Sequence, residues 1–152
     1  MRLWFAAFLL SMISVSAWAQ KDQPLRGFKS FDLVIEALDE DARICGLTES
    51  AIDTSARFVL GQSRAKIASS APAYLYINAN LMALSSRESC IYSIQLGFKA
   101  GTRVLENNEF AIATLWSTGG IGIAPRGNTS RNISNMVEQY LKQFVVEWNK
   151  SN

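Results

Sequence analysis

The C-terminal region of the chain carries one continuous apolar stripe, and this stripe constrains the fold more than any other feature. Apolar side chains recur at the spacing of one face of an α-helix: Ile133, Met136, Val137, Tyr140, Leu141, Phe144, Val145 and Trp148. Asn128, Thr129 and Ser130 stand just upstream as N-cap candidates. Each large apolar side chain stabilises by roughly 1.5–3 kcal/mol when it is buried, so the helix must pack against another apolar layer.

Alternating segments upstream predict that second layer to be a sheet. In the best strand Leu75, Ile77, Ala79 and Leu81 alternate with polar and aromatic residues, which is the period of a half-buried strand. The same period recurs from Cys90 to Phe98, and residues 31–38 and 110–116 are further strand candidates. Thr48 is a good N-cap for a second amphipathic helix that is expected to end at Gly61.

This order of elements predicts an α+β fold with two layers. We expect a mostly antiparallel sheet of about four strands, with two helices packed on one face. Residues 1–19 are interpreted as a signal peptide, residues 20–30 as a lead-in segment, and residues 31–152 as a single α+β domain.

The N-terminus has the three parts of a secretory signal peptide. Arg2 supplies the positive charge, residues 3–15 are an apolar run interrupted only by serines, and Ala17-Trp18-Ala19 is a small-residue cleavage site. The run is shorter than the roughly 20 apolar residues of a membrane-spanning helix. We therefore expect a periplasmic or secreted protein with no integral membrane span after cleavage, and an uncleaved N-terminal anchor is the alternative.

Two cysteines remain after the predicted cleavage, Cys45 and Cys90. Because extracytoplasmic compartments are oxidising, an even pair predicts one disulfide, with two buried free thiols as the alternative.

Composition narrows the classes of function. The whole chain has a net charge of +2, and loss of Arg2 with the signal leaves 14 basic residues against 13 acidic ones. Nucleic-acid binding needs a basic excess, so we expect none. The chain has no histidine, which removes the commonest general base and metal ligand. We expect no catalytic residues, no metal site and no cofactor.

Tyr74, Tyr76, Asn78 and Asn80 are predicted to line the less apolar face of one strand. Tyrosine is enriched in protein interfaces, so this face is a possible partner-contact surface if it is open. The alternative is that a neighbouring element or the lead-in segment covers it.

A glycine-rich stretch, residues 119–127, follows a strand and precedes the last helix. Backbone N–H groups cradle anions at such places, so Gly120, Gly122, Arg126 and Arg131 are candidates for an anion site. The lysine of a P-loop is missing, with Asn128 in its position. A glycine-rich strand end or hairpin is the preferred interpretation, because glycine allows close backbone approach.

The chain has the order Cys45-Gly46-Leu47-Thr48, an amphipathic helix, Ala73-Tyr74-Leu75-Tyr76-Ile77-Asn78 and two further strands. This order resembles that of small uncharacterised bacterial periplasmic proteins. In element order it is also similar to the N-terminal domain of the TolB type and its relatives in envelope assembly. The resemblance covers most of residues 31–148, rests on architecture alone and transfers no functional residue. It implies a protein–protein interaction role in the periplasm.

Three functions compete on this basis. The first is a non-enzymatic periplasmic binding or envelope-associated module whose partner is another envelope protein. The second is a small secreted inhibitor or ligand carrier, with the glycine-rich stretch as a protruding loop or with an apolar cavity. The third is a carboxylate-dependent hydrolase, for which Glu36 with Glu88 or Glu106 would be needed in one cleft.

Overall fold

A computed structural model describes residues 23–84 and 88–152. The predicted signal peptide, residues 1–19, lies outside the described residues. The elements in chain order are β1 (Ser30–Ile35), α1 (Glu40–Ile44), α2 (Glu49–Gly61), β2 (Lys66–Ile67), β3 (Ala73–Ala83), β4 (Ser89–Arg103), β5 (Phe110–Pro125) and α3 (Arg126–Ser151). The predicted α+β fold is confirmed.

Within the described residues the sheet has five strands in the order β2-β1-β3-β4-β5, one more than the sequence predicted. Strands β3, β4 and β5 form an antiparallel meander, whereas β1 is parallel to both β2 and β3. The parallel pairing has a topological cause, because α1, α2 and β2 lie between β1 and β3 in the chain and form a crossover connection. A hairpin would have made β1 antiparallel.

Local signals explain where α1 and α2 begin, whereas α3 begins at Arg126, upstream of the predicted N-cap candidates, and its N-cap Pro125 makes no side-chain hydrogen bond. The hydroxyl of Thr48 accepts a hydrogen bond from Ala51 N, which confirms the predicted N-cap of α2. The short helix α1 was not predicted from the sequence. It begins because the carboxylate of Asp39 accepts the backbone N–H of Ala42 at 2.8 Å. The acidic residues that follow β1 therefore start a helix.

The core lies between one face of the sheet and the helices. Five residues of the predicted apolar stripe on α3 are buried, namely Ile133, Val137, Leu141, Phe144 and Trp148. The aromatic part of this core brings Phe144 within 5.1–5.7 Å, between ring centroids, of Phe31, Phe98, Trp116 and Trp148. The last helix therefore packs on the sheet as its sequence predicts.

Two further connections join segments that are distant in the chain. Cys45 at the end of α1 and Cys90 at the start of β4 form a disulfide with an S–S distance of 2.03 Å. The lead-in turn is joined to the end of α3, because Asn152 accepts a hydrogen bond from Gly27 N and donates one to Leu25 O. Leu25 itself is buried in the core. The lead-in segment thus packs as part of the domain.

The glycine-rich stretch is a strand and not the loop that an inhibitor would insert into its target. Strand β5 continues to Pro125, and α3 begins at the next residue. Gly120 and Gly122 face the helix layer, where a Cβ would overlap the side chains of Tyr140 and Tyr92, respectively. Glycine is needed there because tyrosine side chains lie directly on the strand backbone.

Candidate functional site

The sheet has a second face, here called the open face, which none of the described helices covers. On β3 it is formed by Tyr74, Tyr76, Asn78, Asn80 and Met82, which alternate with the buried residues of the same strand. Tyr74, Tyr76 and Asn78 are partly exposed, and Asn80 is exposed. The structure therefore places all four predicted contact residues together on a face that solvent reaches.

One half of the open face is a polar network centred on Glu36. Its carboxylate oxygen Oε2 accepts hydrogen bonds from the hydroxyl of Tyr76 and from Nδ2 of Asn78. Nδ2 of Asn80 donates in turn to Oδ1 of Asn78. Lys99 reaches across from β4, and its Nζ lies 4.1 Å from the centroid of the Tyr76 ring. These contacts hold five polar side chains in one arrangement before any partner binds.

The network also affects the acidity of Tyr76. The hydrogen bond to Glu36 raises the pKa of the Tyr76 hydroxyl above its ordinary value, and the smaller effect of Asn78 lowers it. The neutral phenol is favoured because only that form can donate to the carboxylate. Tyr76 is therefore present as a hydrogen-bond donor throughout the physiological pH range.

The other half of the open face is an apolar strip made of Met82, Ile91, Ile121 and Ile123. Met82, Ile91 and Ile123 are direct neighbours across three adjacent strands. Their exposed fractions are 52%, 37% and 63%, and Ile121 is 83% exposed. Apolar side chains grouped in this way on a monomer surface are typical of a binding site.

The carboxylates that a hydrolase would need are not brought together. Glu36 lies beside Asn78, which pairs with Gln95 in the middle of β4. Glu88 and Glu106 flank this strand at its two ends. At 3.4 Å per residue, Glu88 and Glu106 each lie about 24 Å or more along β4 from the level of Glu36, too far for either to share a substrate with it.

The residues of the candidate anion site are separated by the fold. Gly120 and Gly122 lie within β5, with the tyrosine side chains described above over them. Arg126 is the exposed first residue of α3, and Nη2 of Arg131 donates to Oδ1 of Asn128 at 2.8 Å. The glycine loop that would turn backbone N–H groups toward an anion is replaced by paired strand.

A cavity of about 400 Å³ lies where the lead-in turn meets the end of α3. Phe28 and Trp148 contribute its apolar wall, and Lys29, Arg64 and Lys66 are exposed at its rim. Its shape and charge suit a small molecule with an apolar part and an anionic group. Nothing in the sequence indicated this cavity, because its residues come from three separated segments.

Sequence reasoning missed the apolar strip and Glu36 as parts of the open face. A signal for two of the missed residues was present, since Ile121 and Ile123 alternate with Gly120 and Gly122 at the period of a strand. The hydrogen bonds to Glu36 could not be foreseen, because they depend on the parallel pairing of β1 with β3.

No protein-family model and no curated protein matches this chain. Among solved structures, it is similar to a minor lipoprotein from Acinetobacter baumannii with a TM-score of 0.32 and 10% sequence identity. The similarity covers 80% of this chain and 84% of that chain. At these values we transfer neither fold nor function from that lipoprotein, and the similarity to TolB-type domains stays a prediction.

Proposed function

We propose that this protein is a non-enzymatic, exported module that binds another protein of the cell envelope through the open face. The observation that carries the proposal is the apolar strip, which lies in solvent beside a pre-formed polar network. An exposed group of large apolar side chains rimmed by polar residues is the usual composition of a protein-binding surface.

The exported location is supported by three features. The sequence predicts a signal peptide, and Cys45 and Cys90 are joined as expected in an oxidising compartment. Within residues 23–84 and 88–152, none of the helices has the length and apolarity to cross a membrane. The non-enzymatic part rests on the lack of histidine in the sequence and on the separation of Glu36, Glu88 and Glu106.

Site-specific photo-crosslinking in the native envelope tests this proposal. A photoreactive amino acid at Ile91 lies in the middle of the apolar strip, between Met82 and Ile123, whereas one at Phe58 lies on α2 at the opposite surface. Phe58 is 60% exposed and is therefore a matched control. We expect a discrete protein adduct from position 91 and none from position 58. Equal adducts from both positions, or none from position 91, would contradict the proposal.

A charge substitution distinguishes binding from chance proximity. Ile91→Lys places a cation in the middle of the apolar strip, and Phe58→Lys makes the same change on α2. Burying an unpaired lysine at a contact surface costs several kcal/mol. We therefore expect Ile91→Lys to abolish adducts formed from a probe at Met82, while Phe58→Lys leaves them unchanged. Circular dichroism of both variants checks that the fold is retained.

A ligand carrier is the second candidate, and the cavity with a basic rim favours it. Trp148 forms part of the wall, so its fluorescence reports binding. An anionic detergent monomer should change that emission, and its affinity should fall in Lys29→Glu and Lys66→Glu. Equal responses to anionic and cationic detergent monomers would rule out a carrier site selective for anions.

A further inference from the structure

The two edges of the sheet are protected very differently. Natural proteins guard sheet edges with short strands, lysines, prolines or bulges, because an edge strand has unpaired backbone groups. Strand β2 is such a guarded edge, with two residues and a lysine. Strand β5 forms the other edge with 16 residues, none of which is Asp, Glu, Lys or Arg.

The guarding features of β5 lie only at its margins. A bulge at Leu115 interrupts its pairing with β4, since Phe98 pairs with Trp116 and Lys99 with Thr114. Pro125 ends the strand. Between them, the stretch Trp116–Ala124 pairs regularly with β4 on its inner side. Its outer N–H and C=O groups point away from the sheet and are available to another strand.

The chemistry of this edge defines what it can bind. Its backbone groups need an extended strand that donates and accepts hydrogen bonds at the same spacing. The stretch contains no charged residue that could attract a charged partner. Its residues on the open face are Ser117, Gly119, Ile121 and Ile123. The occupant must therefore be extended, uncharged and able to cover isoleucine side chains. The strand itself has all three properties.

We propose that β5 pairs antiparallel with β5 of a second copy of this chain about a two-fold axis. When the whole of Trp116–Ala124 is used, Gly120 lies at the axis. Ile121 then lies opposite Gly119 of the second copy, a position without a side chain, and Ile123 lies opposite Ser117. The two sheets become one, and the apolar strips of the two copies approach each other at Ile121, next to the axis.

Charge-swap variants at position 121 test the pairing. The two Ile121 side chains would be diagonal neighbours on the open face, about 7–8 Å apart. Ile121→Lys places two like charges there, so we expect its dimer dissociation constant to rise about tenfold or more. Ile121→Glu should do the same. An equimolar mixture of the two variants should recover the dimer, because the diagonal pair then has opposite charges.

Sedimentation velocity over a concentration series gives the dissociation constants of the purified, oxidised protein. Hydrogen exchange reports on the strand itself, because the outer amides of Trp116–Ala124 should be protected at high but not at low concentration. A protein that stays monomeric at all concentrations overturns the proposal. So does a dimer that Ile121→Lys leaves unchanged, or a mixture of the two variants that stays monomeric. Protection of these amides in the monomer also overturns it.

The control Ile91→Lys separates this proposal from the proposed function. Ile91 lies on the inner strand β4, on the same open face but one strand away from the edge. We expect Ile91→Lys to abolish capture of the envelope partner and to change the dimer dissociation constant less than Ile121→Lys does. If partner capture fails while dimers form, the open-face proposal fails alone. If dimers fail while capture persists, the edge proposal fails alone.

Discussion

The packing of α3 on β5 predicts a specific response to one added methyl group at Gly120. A Cβ at this position would overlap the hydroxyl oxygen of Tyr140 and lie 3.3 Å from Cε of Met136. Overpacking costs typically about 1–3 kcal/mol. Alanine otherwise gains about 0.5–1 kcal/mol over glycine in a strand, because less backbone entropy is lost. We therefore expect Gly120→Ala to lower the free energy of unfolding by about 0.5–2 kcal/mol.

The severe overlap comes from the Tyr140 hydroxyl, whereas the flexible end of Met136 has to move by only a few tenths of an ångström, so a second substitution at Tyr140 should reverse the sign. Tyr140→Phe removes the hydroxyl oxygen, and the ring carbon Cζ of that residue lies 3.7 Å from the added Cβ, an ordinary contact. In the Tyr140→Phe background, Gly120→Ala should be neutral or stabilising by about 0.5 kcal/mol. The double-mutant cycle should then give a coupling free energy of about 1–2 kcal/mol between these two positions.

Gly122 supplies the matched control. A Cβ there would lie 2.6 Å and 2.8 Å from ring carbons Cζ and Cε2 of Tyr92, so removing the hydroxyl with Tyr92→Phe leaves the overlap in place. We expect Gly122→Ala to destabilise equally in both backgrounds. Urea unfolding followed by circular dichroism, with the disulfide intact in every variant, measures all the free energies. An equal loss for Gly120→Ala with and without Tyr140→Phe would refute the reasoning.

Three other predictions concern the disulfide, the polar network and the aromatic core. Replacing Cys45 and Cys90 together by Ala should lower the free energy of unfolding by about 4 kcal/mol, the entropy of the closed loop, and urea unfolding measures it. The raised pKa of Tyr76 should fall toward its ordinary value in Glu36→Gln, seen as an earlier phenolate transition in ultraviolet titration. The network favours the neutral phenol, so its contribution to stability is present below the ordinary pKa and is lost as pH rises through the raised one. Phe144→Ala should cost about 3–5 kcal/mol in urea unfolding, because four aromatic rings lose a buried neighbour.

Sequence reasoning predicted best the elements that are buried on one side only, because one-sided burial makes apolar residues recur at a fixed spacing. Helix α3 exposes one side and buries the other over its whole length, so spacing alone identified its core residues. Strand β3 is covered on one face only, so its apolar residues alternate with polar ones. In both elements a single residue shift would have placed an apolar side chain in solvent.

Other parts depend on contacts between distant segments and were wrong or incomplete. The mostly antiparallel sheet was predicted without a partner for β1, whose parallel pairing with β3 follows from the helices that lie between the two strands. Strand β5 was expected to end near Trp116, because glycine is depleted in strands. Pairing with β4 extends it to Pro125, since the neighbouring side chains fill the space that the glycines leave.

The candidate surface was predicted in the same uneven way. The alternation in β3 correctly placed Tyr74, Tyr76, Asn78 and Asn80 on one face, but a single strand does not reveal whether another element covers that face. The exposure of Ile121 and Ile123 depends on how far β5 extends, so the apolar strip became visible only with the strand register.

The uncharged composition of β5 has two consequences that oppose each other. Toward the helix layer, Gly120 and Gly122 let Tyr140 and Tyr92 lie against the strand. Toward the outside, the same lack of side chains and charges leaves the edge without the protection that charged residues give. Lysine cannot guard the edge from position 120 or 122, because even a Cβ overlaps a tyrosine side chain there. A charged residue would be tolerated at position 121 on the open face, but this position carries an exposed isoleucine. Position 121 could carry a charge at no packing cost, yet its isoleucine extends the apolar strip. This is the residue type that a strand used for binding requires.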